Sequence, residues 1–298
     1  MRRSADMGLN YVLESGHIVD YDVWKADGLE FVLRGPRPVP GAAAPCIAFV
    51  GSAATFGVFA KTPFPTLLGD MLSCQVLNLG RGGAGPGFFA SSAAVIRMIN
   101  QSACAVVQVM SGRSSLSNSA MESVEGLASV ILKIGANAGS KLLGDDALRA
   151  MGRELDGADA ARIYDESICN YLRQYEQLFR LIEVPTVLLY LGTKEPDAPP
   201  FTVEEKARRI LEPGVNPHLV NSKILRNISI WAGETAVVID DSPRAGRLVN
   251  RFTGQYEVLQ RPGAKRLERN DVYASPYLHA KAALALYSPL SRLISEVI

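Results

Sequence analysis

The sequence predicts an α/β protein, a three-layer α/β/α sandwich around a flavodoxin-like parallel sheet of about five strands. Three observations lead there. Short, largely apolar runs recur at 46–50, 75–79, 103–110, 184–191 and 235–239. Stretches with helical spacing separate them, and small-residue turns rich in glycine or serine follow the first three. A strand that is apolar on both sides is buried on both faces, which is the habit of parallel sheets covered by helices. Joining such strands through helices gives right-handed crossovers.

Each element has its own local reason. Residues 1–28 show no period and are expected to be irregular, with Tyr11, Tyr21 and Trp24 as docking anchors. Residues 29–34 alternate like a strand, and the proline-rich 35–41 that follows must be a loop. Residues 1–44 are therefore expected to form an extension whose short strand packs on an α/β domain at 45–298. Proline at the start of 63–72 suits a first helical turn. Residues 85–99, 121–134, 143–155 and 217–232 are expected to be helices. The strongest helix is 159–183, with Ile163, Ile168, Tyr171, Leu172, Tyr175, Leu178, Phe179 and Ile182 on one face. Residues 277–298 close the chain as a helix, with a bend expected at Pro289.

Composition narrows the function classes. The chain has 298 residues, of which 48% are hydrophobic, enough for a large core. A net charge of +1 gives no footing for nucleic acid or a charged membrane surface. No apolar stretch reaches the length of a membrane span, and no apolar segment follows the basic Arg2 and Arg3. The four cysteines are scattered, without a metal-binding spacing. The expectation is a cytoplasmic protein with reduced thiols, no metal and no cofactor. Residues 80–85 do fit GxGxxG after a strand and before a helix. Dinucleotide binding also wants an acid about 20 residues on, and no Asp or Glu occurs between Met71 and Met121.

In a parallel α/β sheet, ligands bind at the carboxyl ends of the strands. The loops of interest are 51–57, 78–87, 111–118 and the segment 271–279 before the last helix. Gly51-Ser52-Ala53-Ala54-Thr55-Phe56-Gly57 resembles the first block of the SGNH/GDSL hydrolases, Gly-Asp-Ser-x-(Ser/Thr)-x-Gly. Gly51, Thr55 and Gly57 match, Ser52 stands at the family's Asp, and Ala53 stands at its nucleophilic Ser. Asn78-Leu79-Gly80 resembles the second block, which implies an oxyanion donor at Gly80. Gly112-Arg113-Ser114-Ser115 places Ser114 at the third block's Asn, or Ser115 if the register shifts by one. His279 matches the last block's His, with Pro276 at its Asp; Ser275 or Asp271 offers a neighbouring substitute.

The chain also resembles an uncharacterised proteobacterial family, the domain of unknown function numbered 6473. The likeness lies in Phe31 to Arg37, Pro63-Phe64-Pro65, Val107 to Met110, Ser117-Asn118 and Asn216-Pro217-His218-Leu219-Val220. It spans roughly residues 29–290 and supports the fold while leaving activity open.

These resemblances imply an SGNH-like protein without the standard serine or aspartate. The expected role is binding a small anionic or sugar-like ligand, or a non-standard transfer reaction. One alternative is a carbohydrate esterase or O-acyltransferase with Ser52 as nucleophile and His279, favoured over His17 and His218, as base. Another is a structural or interaction protein with a vestigial pocket. Arg81 and Arg113 fall at adjacent strand ends inside the acid-free window. With Gly80, Gly82 and the serines at 114 and 115, they form the expected anion site. Nothing in the sequence fixes the oligomeric state.

Overall fold

The computed structural model describes residues 7–212, 216–240, 246–260, 266–270 and 272–297. The five apolar runs form one sheet. Its strands are β1 (Cys46–Val50), β2 (Gln75–Asn78), β3 (Cys104–Gln108), β4 (Thr186–Gly192) and β5 (Glu234–Ile239). Their order is β5-β4-β3-β1-β2, and every pairing is parallel. This is the doubly wound order, in which the chain reverses direction across the sheet between β1 and β3.

Alternation along the strands separates two cores. Ala48, Val50, Ala105, Val107, Leu188 and Tyr190 face one layer. There they meet Val95, Ile99, Tyr171, Tyr175, Leu178 and Ile228 of three helices, Ala93–Asn100, Gly157–Leu181 and Ser222–Ser229. Ile47, Phe49, Val106, Val187, Leu189 and Val238 face the other layer. Phe64 and Leu68 of the Phe64–Leu72 helix cover them, with Ala282, Leu286 and Leu290 of Pro276–Val297. The architecture is the expected three-layer sandwich.

Several local expectations fail, each for an identifiable reason. Residues 121–134 form no helix. Met121–Ser123, Ser129–Leu132 and Lys141–Leu143 make a three-stranded antiparallel sheet. Glu125 and Gly126 both have positive φ (56° and 68°), and the Leu127 N–H donates to the Val124 carbonyl at 3.0 Å. That is a type I′ hairpin turn, which the apolar spacing on either side concealed. The 143–155 helix is confined to Gly144–Met151. The 85–99 segment splits into Pro86–Ala90 and Ala93–Asn100, because Ser92 caps the second helix through the Val95 N–H. The 217–232 helix begins only at Ser222, where the Asn221 side chain accepts from Lys223 and Ile224. Residues 1–28 are not wholly irregular, since Met7–Ser15 is helical. Pro289 does lie inside the closing helix.

Two satellite clusters flank the sandwich. Met121, Val130, Leu132, Leu148 and Ile210 pack against Ile163 and Tyr164 on the amino-terminal half of the Gly157–Leu181 helix. One long helix thus serves both the main core and this cap, inserted between β3 and β4. On the other side, Tyr11, Ile18, Val19 and Tyr21 pack with Phe56, Val58, Phe59, Leu248 and Leu259.

Candidate active-site cleft

A cleft of about 460 Å3 opens at the carboxyl ends of the strands. Ser52, Ala53 and Ala54 after β1, Gly83 and Ala84 after β2, and Thr193 after β4 contribute to its wall. So do Gln108 at the end of β3 and Ser111, Arg113 and Ser114 beyond it. Asn216, His218 and Tyr273 complete the polar lining.

The loops are tied to one another by buried side chains. Gln108 Oε1 accepts from Thr55 Oγ1 at 2.7 Å and from the Ser52 N–H at 3.2 Å, while Gln108 Nε2 donates to Ser52 Oγ at 3.1 Å. Asn78 Nδ2 donates to the Thr55 carbonyl and Asn78 Oδ1 accepts the Gly80 N–H, both at 2.9 Å. From below, Arg34 donates to the carbonyls of Gly57 at 2.9 Å and Ala60 at 2.8 Å, and more loosely to those of Phe56 and Lys61. Burial lowers the Arg34 pKa to about 10, against the opposing pull of Tyr21, Asp20 and Asp22. Beyond β3, the Tyr175 hydroxyl accepts the Met110 N–H at 2.7 Å and donates to the Gln108 carbonyl at 3.2 Å. This pins the segment that carries Ser111.

The Ser52–His279 dyad of the esterase alternative does not form. Ser52 lines the cleft, but its hydroxyl is engaged by Gln108. His279 is only 1% exposed and lies outside the cleft wall. Its Nδ1 accepts the Phe64 N–H at 3.2 Å, its ring stacks on Phe64, and its Nε2 has no partner. Burial, with a smaller contribution from Arg34, lowers its pKa to about 3. Pro276, the first residue of its helix, offers no carboxylate, and the buried Asp240 near it accepts from Ser275 Oγ at 3.4 Å. Ser275 is occupied as a cap, with Oγ accepting the Leu278 N–H at 3.0 Å. Asp271 lies outside the described residues.

The anion constellation is also dispersed. Arg81 is 6% exposed and leaves the cleft; its guanidinium stacks between Phe31 at 4.7 Å and Phe88 at 4.9 Å. Arg113 does line the cleft, but pairs with Asp145 at 2.7 Å. Gly80 offers no free amide, because Asn78 takes it; a Cβ there would overlap the Phe56 backbone nitrogen. Gly82 is small because the Tyr11 hydroxyl lies against it. Ser114 lines the cleft while donating to the Gly83 carbonyl at 2.8 Å. Ser115 is turned inward, donating to Gln174 Oε1 at 2.6 Å.

A different pair comes together instead. Ser111 Oγ lies 3.0 Å from His218 Nδ1, and both residues line the cleft. The Gly112 N–H donates to the His218 carbonyl at 2.9 Å, which fixes the two loops on each other. Burial and the neighbouring Arg113 lower the His218 pKa to about 4, with Asp145 pulling the other way. The sequence does not pair these two residues or join Gln108 to them. Its signals were separate: the 111–118 loop carries Ser111, the Val107 to Met110 motif carries Gln108, and the Asn216 to Val220 motif carries His218.

A larger cavity, of about 760 Å3, lies at the opposite, amino ends of β1 and β2. Trp24, Arg37, Pro38, Pro40, Gln75 and Met98 are on its wall. It brings together no nucleophile and base, and burial pushes up the pKa of its one thiol, Cys46. Among the described residues no group of three or more His, Cys, Asp or Glu is placed to hold a metal ion. No helix among them is long and apolar enough to cross a membrane.

Residues 10–122 match the model of a family described as a domain of unknown function, DUF6473. No curated protein sequence matches the chain. Among solved structures the chain is similar to a family two carbohydrate esterase from Clostridium thermocellum. The TM-score there is 0.37 at 8% identity, covering 89% of this chain and 67% of that one. It is also similar to an extracellular lipase from Streptomyces rimosus, with TM-score 0.38, 9% identity, and coverage of 66% and 81%. A third likeness is to a protein from Desulfitobacterium hafniense described as lipolytic and of the G-D-S-L family. There the TM-score is 0.34, identity 11%, and coverage 84% and 99%.

Proposed function

We propose that the protein binds a small, uncharged, polyhydroxylated molecule of the sugar class in the cleft at the carboxyl ends of β1, β3 and β4. The observation that carries this reading is the chemistry of the wall. Ser52, Gln108, Ser111, Ser114, Thr193, Asn216, His218 and Tyr273 line it. These are hydroxyl, amide and neutral imidazole groups, which donate and accept in turn as a sugar hydroxyl does. Among the described residues the one cation on the wall, Arg113, has its charge met by Asp145. An anionic ligand would have to compete with that carboxylate.

The volume of about 460 Å3 suits a monosaccharide or a small disaccharide. An open cleft of this size also weighs against a vestigial pocket. The nucleophile position of the SGNH-like block is a methyl group, Ala53, so binding here needs none of that family's chemistry.

The test is a thermal-shift and calorimetric titration of the full chain. The panel is glucose, galactose and cellobiose against glucuronate and glucose 6-phosphate. A neutral sugar at about 100 times its Kd should stabilise the fold by about 2.7 kcal/mol. Thr193→Ala and Asn216→Ala should each weaken it by about fivefold or more. A response only to the acidic sugars would restore the anion reading. Silence across the panel would end the sugar reading.

A further inference from the structure

We propose that Ser111 and His218 form a nucleophile–base pair that removes an acyl group from a hydroxyl of the molecule held in the cleft. The substrate class is an O-acyl ester of a polyhydroxylated compound, so this inference rests on the ligand reading above and adds a reaction to it.

The geometry meets the requirements for an activated serine. The hydroxyl and the imidazole are within hydrogen-bond reach at 3.0 Å, although 107 residues separate them in sequence. Both line the same cleft. In the tautomer with Nδ1 unprotonated, Ser111 donates to the ring. Both partners are held in place. The Met110 N–H is fixed by Tyr175, and the His218 main chain is fixed by Gly112. Ser52 lacks such a partner, since an amide cannot take its proton.

The chemistry balances with water as the only co-reactant. Ser111 Oγ bonds to the acyl carbon and its proton passes to His218 Nδ1. The ester C–O bond breaks, and the departing alkoxide takes that proton, leaving acyl-Ser111. Water then adds to the acyl carbon, again giving its proton to Nδ1. The carbon–Oγ bond breaks, Ser111 recovers the proton, and a carboxylic acid leaves.

The charged and titratable groups facing the imidazole are Arg113 and Asp145. They hold each other in an ion pair at 2.7 Å. Burial, with Arg113, keeps the ring neutral above about pH 4.

The experiment uses the full chain with 4-nitrophenyl acetate and, separately, a fluorophosphonate. Adducts are located by peptide mass spectrometry. A single adduct on Ser111 is expected, absent in Ser111→Ala and formed at least about a hundredfold more slowly in His218→Gln. Its rate should change little between about pH 5 and 8, because His218 is already neutral there. Folding of both variants is checked by melting temperature. No adduct on Ser111 in the folded wild-type protein overturns the proposal, whatever the variants do. So does an adduct on Ser52 instead. The two readings fail separately: calorimetry on Ser111→Ala with the neutral sugars tests the ligand, and labelling of the wild type tests the reaction.

Discussion

At the scale of single residues, burial sets the chemistry of two histidines, one on the cleft wall and one behind it. His279 sits at the family-like position yet faces Phe64, and its buried ring carries a donor without an acceptor. An unfolded imidazole takes up a proton below about pH 6.5, whereas folded His279 stays neutral down to about 3. The unfolded state therefore binds more protons across that window, and stability falls as pH drops through it. Above about 6.5 the group contributes no pH dependence. His218 adds to the same loss between about 6.5 and 4. His279→Gln can still accept from the Phe64 N–H and has no proton to gain. Urea denaturation at pH 7 and pH 4.5 should show a clearly smaller loss of stability in this variant. The expected difference is on the order of 2 kcal/mol. An equal loss in both proteins would mean that the ring is solvated in the folded state.

At the scale of elements, the hairpin inside the cap shows how one dipeptide overrides a periodic pattern. Met121 to Ile134 has apolar residues spaced for a helix, but Glu125 and Gly126 occupy the left-handed region. A side chain there costs roughly 1–2 kcal/mol. At Gly126 a Cβ would also overlap the Phe88 backbone nitrogen. Gly126→Ala should therefore destabilise the protein by about 2 kcal/mol or more in urea titration. Glu125→Gly, which relieves the same strain next door, should change stability by less than about 1 kcal/mol. If the two substitutions cost the same, the turn is not the I′ turn described here. The long Gly157–Leu181 helix matters in the opposite way, because its pattern is strong enough to serve two cores at once. Ile163 and Tyr164 pack into the cap, and Tyr171, Tyr175 and Leu178 into the sheet.

At the scale of the whole molecule, the sheet and the cap should differ in how they open. β1, β3 and β4 lie in the interior of the sheet, and β3 and β4 are buried at every position. The cap strands have exposed positions, including Ile131 and Leu143. Native-state hydrogen exchange should thus be slowest in β1, β3 and β4, and at least about tenfold faster over residues 121–143. Uniform protection across both regions would show a single cooperative unit. The cleft lies where these parts meet, with Ser111 on the strand side and His218 on a loop beside the cap.

The sequence by itself determined the layers. Five short, largely apolar runs read as strands covered by helices, and the helices between them dictate parallel pairing. It also determined what Ala53 cannot do, since a methyl group at that position is visible without coordinates. Both are local properties, written in the period and identity of neighbouring side chains. The tertiary structure alone decided which polar groups meet. Ser111 finds His218 across 107 residues, Gln108 finds Ser52 across 56, and Phe64 sequesters His279 across 215. Arg81 turns to two phenylalanines, and Arg113 to an aspartate of the inserted cap. Such partnerships follow from strand order and from where an insertion folds back. Burial removes water as the competing partner, so each group bonds to whatever the fold sets beside it.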